Sequence, residues 1–389
     1  MFYTAKEEDI RKGKVTDIYF KRTEKILKAK NIDASVKAEV FLKDFPSGYN
    51  WGILAGIEES LKLLSTVDDI SVRCMPEGSV FRDYEPVMVI EGKYLNFGIY
   101  ETSILGFLCQ SSGIATKAAR CKLAAGDRSV FSFGARRVHP AIAPMVERCA
   151  FIGGADGVST IAGAEAIEQE PVGTIPHALI LIMGDTVIAT KAFDEIIKPN
   201  IKRISLIDTF NDEKFEAIKV GKALGERLFG VRLDTPSSRR GNFKKILEEV
   251  RWELNIRGYS DIKLIVSGGL DENDIKELNY IVDAYGIGTS ISGAAVMDFA
   301  LDIVEIEGEK IAKRGKMSGA KKVIRCKDCF NDKVVLENDK VQDCKCSLCG
   351  GIYKDLFVDA IKNGKLVYEF PSASSIRNKV LSQFKFLKL

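Results

Sequence analysis

Three stretches in the second half of the chain decide the fold: GVRLD at 230–234, IKLIVSGG at 262–269 and VDAYGIGTSISG at 282–293. Each begins as a short apolar run, typical of a strand, and continues into glycine, aspartate or a hydroxyl residue. In a parallel α/β barrel the carboxyl ends of the strands build the active site, and glycines there leave backbone N–H groups free to hold a phosphate. The three stretches therefore predict an enzyme that acts on a phosphorylated small molecule.

Strand-like runs alternate with helical segments from about residue 106, and this alternation implies parallel βαβ units in either a barrel or an open doubly wound sheet. Seven strands are predicted, one fewer than a closed barrel has: SVFSF, DGVST, PVGT, RISLID, GVRLD, IKLIVSG and IVDAYGI. The helices predicted among them are Ile114–Ala125, Pro140–Phe151, Phe193–Ile197, Glu213–Leu228, Asn242–Asn255 and Glu272–Tyr280. Periodicity leaves HALILIMGDTVIAT, at 177–190, undecided between a buried strand and a buried helix.

Two further units flank this α/β region. In the first, a strand at VKAEVFLKDF and a helix from Trp51 to Val67 precede the strand-like runs ISVRCM, SVFRDY and PVMVIEGKYL, a pattern that predicts an α+β domain with an antiparallel sheet. The second is a Lys-rich tail that contains five of the nine cysteines. We therefore predict an N-terminal α+β domain at 1–105, an α/β barrel at 106–317 and a small C-terminal zinc-binding module at 318–389.

Composition narrows the class of protein. The 389 residues are 46% hydrophobic and carry a net charge of +3, which supports neither a nucleic-acid nor a membrane partner. The first twenty residues contain no apolar run of signal-peptide length, and ALILIM at 178–183 is too short to cross a bilayer. These features predict a cytoplasmic protein. A rival reading, a zinc-ribbon protein that binds nucleic acid, is disfavoured by the near-neutral charge.

The tail carries two CxxC pairs, Cys326 with Cys329 and Cys346 with Cys349, separated by sixteen residues. This spacing is typical of a zinc site, in which two knuckle turns bring four thiolates to one tetrahedral ion. Four thiolates leave no open coordination position, so the predicted zinc is structural rather than catalytic. Cys344 lies between the pairs and remains a spare thiol.

Charged side chains and a histidine follow several of the predicted strands. Arg136 and Arg137 come after SVFSF, and a guanidinium there is suited to grip a carboxylate or phosphate. Arg232 and Asp234 share one face of a strand and would hold a ribose diol, a Mg²⁺ or an acidic substrate, or else form a buried structural ion pair. His177 follows PVGT, where a barrel strand would deliver its side chain to the site.

Several motifs, taken in this order, resemble those of the nicotinate phosphoribosyltransferases and, more distantly, the quinolinate and nicotinamide enzymes of the same fold. TDIYF at 16–20 resembles the family's TDxY, SSGIATKAARCK at 111–122 is similar to the segment that opens the barrel of the quinolinate enzyme, and FSFGARR at 131–137 resembles the FGxR element. VGTIPHAL resembles GTxxH around a phosphorylatable histidine, VRLD resembles VRxDSGD, and SGGL with GIGTS resembles the phosphate-binding pair.

The resemblance implies an irregular, incomplete α/β barrel behind an N-terminal α+β domain, in a homodimer or higher oligomer with shared active sites. Tyr19, lent by the neighbouring subunit, and Phe133 would sandwich the pyridine ring. Arg136 and Arg232 would hold the nicotinate carboxylate and phosphate groups. Asp234 would bind ribose hydroxyls or the Mg²⁺. The residues that would cradle the 5-phosphate are Ser267, Gly268, Gly269, Gly286, Gly288 and Thr289.

The implied reaction joins nicotinate to phosphoribosyl pyrophosphate and releases pyrophosphate, with support for the leaving group from Arg136, Arg137 and Mg²⁺. Quinolinate phosphoribosyltransferase is the nearest alternative, and it would need more basic residues around the ring. A sugar-phosphate isomerase or aldolase would use the same glycines, but no convincing base or Schiff-base lysine follows a strand. His177, within GTxxH, favours nicotinate and would line the site.

Two departures from the family pattern concern ATP, whose hydrolysis many relatives couple to the reaction. Ala178 stands where the family has a serine after the histidine, and DTPSS at 234–238 stands where it has DSGD. Both departures predict that coupling to ATP is weak or absent. The zinc tail is not general to the family, so the resemblance assigns it no role.

Overall fold

The structure is a computed structural model that describes residues 2–341 and 344–389. Its strands are β1 (Ser35–Leu42), β2 (Gly52–Ile53), β3 (Ile70–Cys74), β4 (Val80–Phe81), β5 (Pro86–Lys93), β6 (Ser129–Ser132), β7 (Gly157–Val158), β8 (Arg203–Leu206), β9 (Leu228–Leu233), β10 (Lys263–Ser267), β11 (Ala284–Ile287), β12 (Phe299–Ile306), β13 (Glu309–Lys310), β14 (Lys321–Cys326), β15 (Asp332–Leu336), β16 (Tyr353–Asp355), β17 (Val358–Lys362) and β18 (Lys365–Leu366).

The α-helices are α1 (Glu7–Arg11), α2 (Ile18–Ala29), α3 (Ile57–Leu64), α4 (Tyr94–Phe97), α5 (Glu101–Ala125), α6 (Ala143–Ile152), α7 (Ile161–Glu165), α8 (His177–Met183), α9 (Thr186–Ile196), α10 (Glu213–Leu224), α11 (Ser237–Arg240), α12 (Phe243–Asn255), α13 (Glu272–Leu278), α14 (Thr289–Ser292) and α15 (Ala373–Gln383). Short 3₁₀ turns add Gly98–Tyr100, Ala135–Arg137, Pro140–Ile142, Gly225–Arg227 and Phe384–Phe386. None of the helices described here is both long and apolar enough to cross a membrane.

The chain forms two compact units, and one of them is discontinuous in sequence. Unit 1 combines Met1–Thr116 with Ala295–Leu389, and unit 2 is the continuous segment Lys117–Ala294. This division differs from the three consecutive domains expected from the sequence. The difference arises because strands after residue 294 pair with strands near the N-terminus, and a local pattern does not reveal such distant partners.

Unit 1 is built on a seven-stranded sheet in the order β13-β12-β1-β5-β3-β17-β18, with antiparallel pairing throughout. In β1 the residues Val36, Ala38, Val40 and Leu42 alternate along one face and are buried, and α3 adds Leu61 and other apolar side chains to the same core. The antiparallel sheet expected near the N-terminus is therefore present. The helix expected from Trp51 begins later, at Ile57, because residues 52–53 pair with β4 instead.

Unit 2 is built on a six-stranded parallel sheet in the order β7-β6-β11-β10-β9-β8. Six of the seven runs predicted as strands form it, and the α/β alternation predicted from the sequence is confirmed. The sheet is open, because its edge strands β7 and β8 do not pair with each other. A parallel sheet whose strands come in this order brings the carboxyl ends of β6, β11, β10 and β9 side by side.

The one remaining run that was predicted as a strand, PVGT at 171–174, does not form a strand. Residues 171–176 lie outside regular structure, although the N–H of Val172 donates to the carbonyl of Val158 in β7. Pro171 and Pro176 bracket the segment, and proline lacks the N–H that a sheet ladder needs. The interpretation that His177 ends a strand is therefore wrong, and His177 is instead the first residue of α8.

The undecided stretch at 177–190 is helical. It forms α8 and most of α9, separated by Gly184 in a left-handed conformation and by Asp185, whose carboxylate accepts a hydrogen bond from the N–H of Ile188 at 2.9 Å. An N-cap of this kind satisfies one of the free N–H groups at the start of a helix. The short helix expected at Phe193–Ile197 is the last part of α9.

Candidate functional site

A cavity of about 110 Å³ lies at the carboxyl ends of four neighbouring parallel strands of unit 2. Each strand contributes residues at or just beyond its carboxyl end, so the cavity brings together side chains and glycines from well-separated parts of the sequence. The lining residues are Phe133, Arg136 and Arg137 after β6, Arg232 and Asp234 in and after β9, Ser267, Gly268 and Gly269 at β10, and Gly286, Gly288 and Thr289 at β11.

Arg232 is the most buried cation of this cavity, with only 9% of its surface exposed. One Nη donates a long hydrogen bond of 3.4 Å to the carbonyl of Ile175, while Nε has no hydrogen-bond partner among the described residues. Burial lowers the pKa of this guanidinium, against the opposing influence of Asp234 and Asp208. A buried guanidinium with an unused donor is costly unless an anion completes it, so the site is prepared to bind one.

Asp234 lies between the cavity and a second, buried carboxylate. Its Oδ1 accepts a hydrogen bond from the hydroxyl of Ser267 at 2.8 Å, and its N–H donates to Oδ2 of Asp208 at 2.8 Å. Burial raises the pKa of Asp208, and Oδ1 of Asp208 has no hydrogen-bond partner in the described part of the chain. This pair of aspartates can therefore offer oxygen ligands to a hard cation, which is the chemistry that Mg²⁺ prefers.

His177 does not line the cavity but faces the same two aspartates. Its Nε2 lies 3.9 Å from Asp208 Oδ1 and 3.9 Å from Asp234 Oδ2, and its Nδ1 is 3.0 Å from the hydroxyl of Thr209. The side chain is 40% exposed, so its outer edge remains open to solvent. The imidazole is therefore held beside the cavity by a hydroxyl on one ring nitrogen and near carboxylates on the other.

Phe133 forms one wall of the cavity, and a glycine makes its position possible. A Cβ built on Gly286 would meet the ring of Phe133 at 2.5 Å, so the aromatic ring packs directly on the backbone of β11. Arg136 and Arg137 follow Phe133 in a 3₁₀ turn and are exposed at the rim. The cavity thus combines a flat apolar wall with two long cationic side chains. This combination suits a planar ring joined to an anionic group.

Tyr19, the remaining residue that the resemblance selects, lies on α2 in unit 1, where it is 55% exposed. Sequence reasoning missed Asp208 and Thr209, which directly follow the strand-like RISLI. The signal for them was available, because the rule that strand ends carry functional residues also applies to β8. It also missed Arg240, for which no motif or periodicity gave a signal.

The four predicted metal ligands form a cluster in unit 1. The Sγ atoms of Cys326, Cys329, Cys346 and Cys349 lie within 4.8 Å of one another, and the four thiols could hold a metal ion. Two backbone hydrogen bonds shape one knuckle, from Gly350 N to the Cys346 carbonyl and from Cys346 N to the Gly351 carbonyl. Cys344 is exposed and is not among the clustered thiols.

The raised pKa of Asp208 gives a prediction for stability. At a pH below 3.8, the ordinary pKa of an aspartate, this carboxyl is protonated in both the folded and the unfolded protein. As the pH rises, the unfolded chain releases the proton first, and the folded state therefore loses stability. Asp208→Asn should therefore raise the free energy of unfolding at about pH 7 and leave it nearly unchanged at about pH 3. Urea unfolding at both pH values measures this, with exposed Asp261→Asn as the control. Equal effects of Asp208→Asn at both pH values would contradict it.

Comparisons with known proteins cover most of the chain. Residues 17–112 match the family described as quinolinate phosphoribosyl transferase, N-terminal domain, and residues 114–302 match its C-terminal domain. A nicotinate phosphoribosyltransferase of Bacillus subtilis is 27% identical over 414 aligned positions, which span 90% of this chain and 84% of that protein.

Solved structures are also similar to nearly the whole chain. The chain is similar to a crystal structure of nicotinate-nucleotide pyrophosphorylase from Pyrococcus furiosus, with 54% identity, a TM-score of 0.97, and coverage of 100% of this chain and 99% of that one. It also shares its fold with human nicotinic acid phosphoribosyltransferase, at a TM-score of 0.76 and 18% identity over 96% of this chain and 94% of that one.

Proposed function

The chain belongs to the quinolinate phosphoribosyltransferase family, and on that premise we propose that it is a nicotinate phosphoribosyltransferase of NAD biosynthesis. It joins nicotinate to phosphoribosyl pyrophosphate and releases nicotinate mononucleotide and pyrophosphate. The relative from Bacillus subtilis is named nicotinate phosphoribosyltransferase, and the alignment covers 84% of its length. The observation that carries the proposal is the cavity in which three arginines, an aspartate and a glycine cradle meet at the ends of four parallel strands.

The residues of this cavity support a substitution at the ribose C1. The pyridine nitrogen forms a bond to C1 while the C1–O bond breaks, and the electron pair of that bond leaves with pyrophosphate. The nitrogen lone pair is already available, so no general base is required. Catalysis then consists of positioning and of stabilising the leaving anion, roles that suit Arg136 and Arg137 at the rim.

The pyridine ring would pack on Phe133, with its carboxylate near the unused donor of Arg232. The cavity is smaller than the roughly 300–1,000 Å³ typical of ligand pockets, so it holds part of the two substrates and leaves the rest outside. We propose that a second copy of the chain completes the site with its own Tyr19. The exposure of Tyr19 on α2 is consistent with such a contact.

Asp234 and Asp208 are the residues that would hold Mg²⁺. Oδ1 of Asp208 is buried and accepts no hydrogen bond from the residues that the structure describes, and the carboxylate of Asp234 is half-buried; both fit a hard cation with oxygen ligands. When bound, the ion would neutralise part of the charge on pyrophosphate. The four clustered cysteines would hold zinc in unit 1, where a closed set of four thiolates makes the ion structural.

An assay of substrate choice tests the proposal. Purified protein is supplied with phosphoribosyl pyrophosphate, Mg²⁺ and either nicotinate, quinolinate or nicotinamide, and the mononucleotide product is quantified. We expect product from nicotinate, with kcat/KM at least about 100-fold above the value for the other two bases. Quinolinate turnover with release of carbon dioxide, at a rate equal to or above that for nicotinate, would favour the decarboxylating relative instead.

Removal of the imidazole tests the role of His177 and the expected independence from ATP. His177→Ala should lower kcat/KM about ten- to hundredfold, because it removes a hydrogen bond that we propose the imidazole makes to substrate beside the two aspartates. ATP should stimulate neither protein. His139→Ala is the matched control, because His139 caps the 3₁₀ turn at Pro140–Ile142 outside the cavity. Stoichiometric ADP release by the wild type that disappears in His177→Ala would show that ATP is coupled to the reaction.

A further inference from the structure

Arg240, at the end of α11, connects two loops that carry the cavity. Its Nε donates a hydrogen bond of 2.7 Å to the carbonyl of Thr235, in the loop after β9. One Nη donates at 3.1 Å to the carbonyl of Ser267 and also to the carbonyl of Gly268, at the end of β10. Arg240 itself is not among the residues that line the cavity, so it contacts these loops from behind.

The planarity of the peptide bond converts these contacts into an orientation of N–H donors. In a trans peptide the C=O and the following N–H point in opposite directions. Because the carbonyls of Ser267 and Gly268 are turned to Arg240, the N–H groups of Gly268 and Gly269 face away from it. Ser267, Gly268 and Gly269 all line the cavity, so the side of the loop opposite Arg240, where these N–H groups lie, is the side available to a ligand.

The conformation at Gly268 shows that this arrangement is tightly packed. Gly268 has a φ of +89°, and a Cβ built on it would lie 2.9 Å from Oδ1 of Asp234 and 3.1 Å from Nη2 of Arg240. The hydroxyl of Ser267 also donates to the same carboxylate oxygen of Asp234. The guanidinium, the carboxylate and the glycine backbone therefore fix one another.

Arg240 also adds a positive charge behind the N–H groups. In the described ranges it forms no salt bridge, and its guanidinium instead lies 4.7 Å from the centre of the Phe243 ring. Its direct contacts are neutral carbonyls and an aromatic ring, which do not neutralise the charge of the guanidinium, and the Asp234 carboxylate lies on the other side of Gly268. The charge and the oriented N–H groups both favour an anion at the same point.

We propose that Arg240 is a positioning residue for the 5-phosphate: it turns the Gly268 and Gly269 N–H groups towards the phosphate and makes the cavity select phosphorylated ribose. This inference rests on the proposed function, since it names the part of the substrate that these loops recognise. It predicts that loss of Arg240 weakens the binding of ligands that carry the phosphate and hardly affects ligands that carry only the ring and the ribose.

Binding of a matched pair of ligands tests this directly. Isothermal titration calorimetry is used to compare nicotinate mononucleotide with nicotinate riboside, which lacks only the phosphate, on the wild type, Arg240→Met and Arg240→Lys. We expect Arg240→Met to raise the Kd of the mononucleotide about 10- to 100-fold and that of the riboside less than about twofold. Arg240→Lys should be intermediate, because it keeps the charge but loses the planar fork that reaches three carbonyls.

Arg239→Met is the control, because the neighbouring Arg239 is exposed and should leave both Kd values unchanged. In steady-state assays Arg240→Met should raise the KM for phosphoribosyl pyrophosphate far more than the KM for nicotinate. If Arg240 were merely structural, Arg240→Met would raise the Kd values of the mononucleotide and the riboside by the same factor. That result, or a ratio of the two Kd values unchanged from the wild type, would overturn the proposal. Should Arg240→Met fail to fold, Arg240→Lys decides the question by the same comparison.

Ribose 5-phosphate separates this inference from the proposed function. If the wild type binds ribose 5-phosphate but not nicotinate mononucleotide, the assignment of the base is wrong, and the Arg240 variants are then compared on ribose 5-phosphate and ribose. Selective loss of ribose 5-phosphate binding in Arg240→Met would still support the role of Arg240. Binding of neither phosphorylated ligand by the wild type would overturn both proposals.

Discussion

Replacing Arg232 with methionine should lower kcat/KM by about 100- to 1,000-fold and should also make the protein more resistant to unfolding. Arg232 is 9% exposed, and its Nε has no partner among the described residues. The folded protein without substrate therefore keeps a buried charge that is incompletely bonded. Methionine removes that cost but also removes the group that we propose binds the substrate anion.

Arg203 provides a matched control, because it is buried on the neighbouring strand β8 but is fully bonded. Its guanidinium donates to the Asp194 carboxylate at 2.9 Å, to the Lys198 carbonyl at 2.8 Å and to the Ile197 carbonyl at 2.6 Å. Arg203→Met should therefore lower the unfolding temperature. Thermal unfolding and steady-state kinetics of both variants distinguish the two roles, and a loss of stability in Arg232→Met as large as in Arg203→Met would show that Arg232 is structural.

Replacing Cys329 with alanine should abolish stoichiometric metal binding and lower the unfolding temperature of unit 1 by about 10 °C or more. The four Sγ atoms lie within 4.8 Å of one another, so removal of one leaves an incomplete set of ligands. The cavity that we propose as the active site is lined by residues of unit 2, and the expected change in kcat is less than about threefold.

Cys344→Ala is the control for this effect, because Cys344 is an exposed thiol of the same segment that lies outside the cluster. Elemental analysis should find about one zinc per chain in the wild type and in Cys344→Ala, and none in Cys329→Ala. Hydrogen exchange should show the greatest loss of protection around residues 326–353. Wild-type protein that contains no metal after purification without chelators would refute the site.

The residues of the cavity could be read from the sequence because each belongs to a local signal. Arg232, Asp234 and Gly268 directly follow or end apolar strands, and the fold rule that strand ends form the site needs no knowledge of distant contacts. The same rule was available for Asp208. Arg240 was not accessible in this way, since its proposed role depends on contacts with Ser267 and Gly268, which lie 27 and 28 positions further along the chain.

Other differences arise where local chemistry overrides a familiar pattern. PVGT reads as a strand because valine and threonine favour extended structure, but the prolines at 171 and 176 remove ladder donors at both ends. The tail reads as a separate module because its cysteines stand out in composition. In the structure β17, from the tail, pairs with β3, so part of the tail completes the sheet of unit 1.

The discontinuity of unit 1 sets an order of events during synthesis on the ribosome. Val36 of β1 pairs with Ile306 of β12, so this edge of the sheet cannot close until the polypeptide has been translated almost to the tail. Unit 2 is contiguous, and its parallel strands can pair as soon as residue 294 has emerged. We therefore expect unit 2 to fold on the nascent chain while β1 awaits β12 and β3 awaits β17. During that time the unpaired edges of the N-terminal strands are the part of the chain that we expect chaperones to bind.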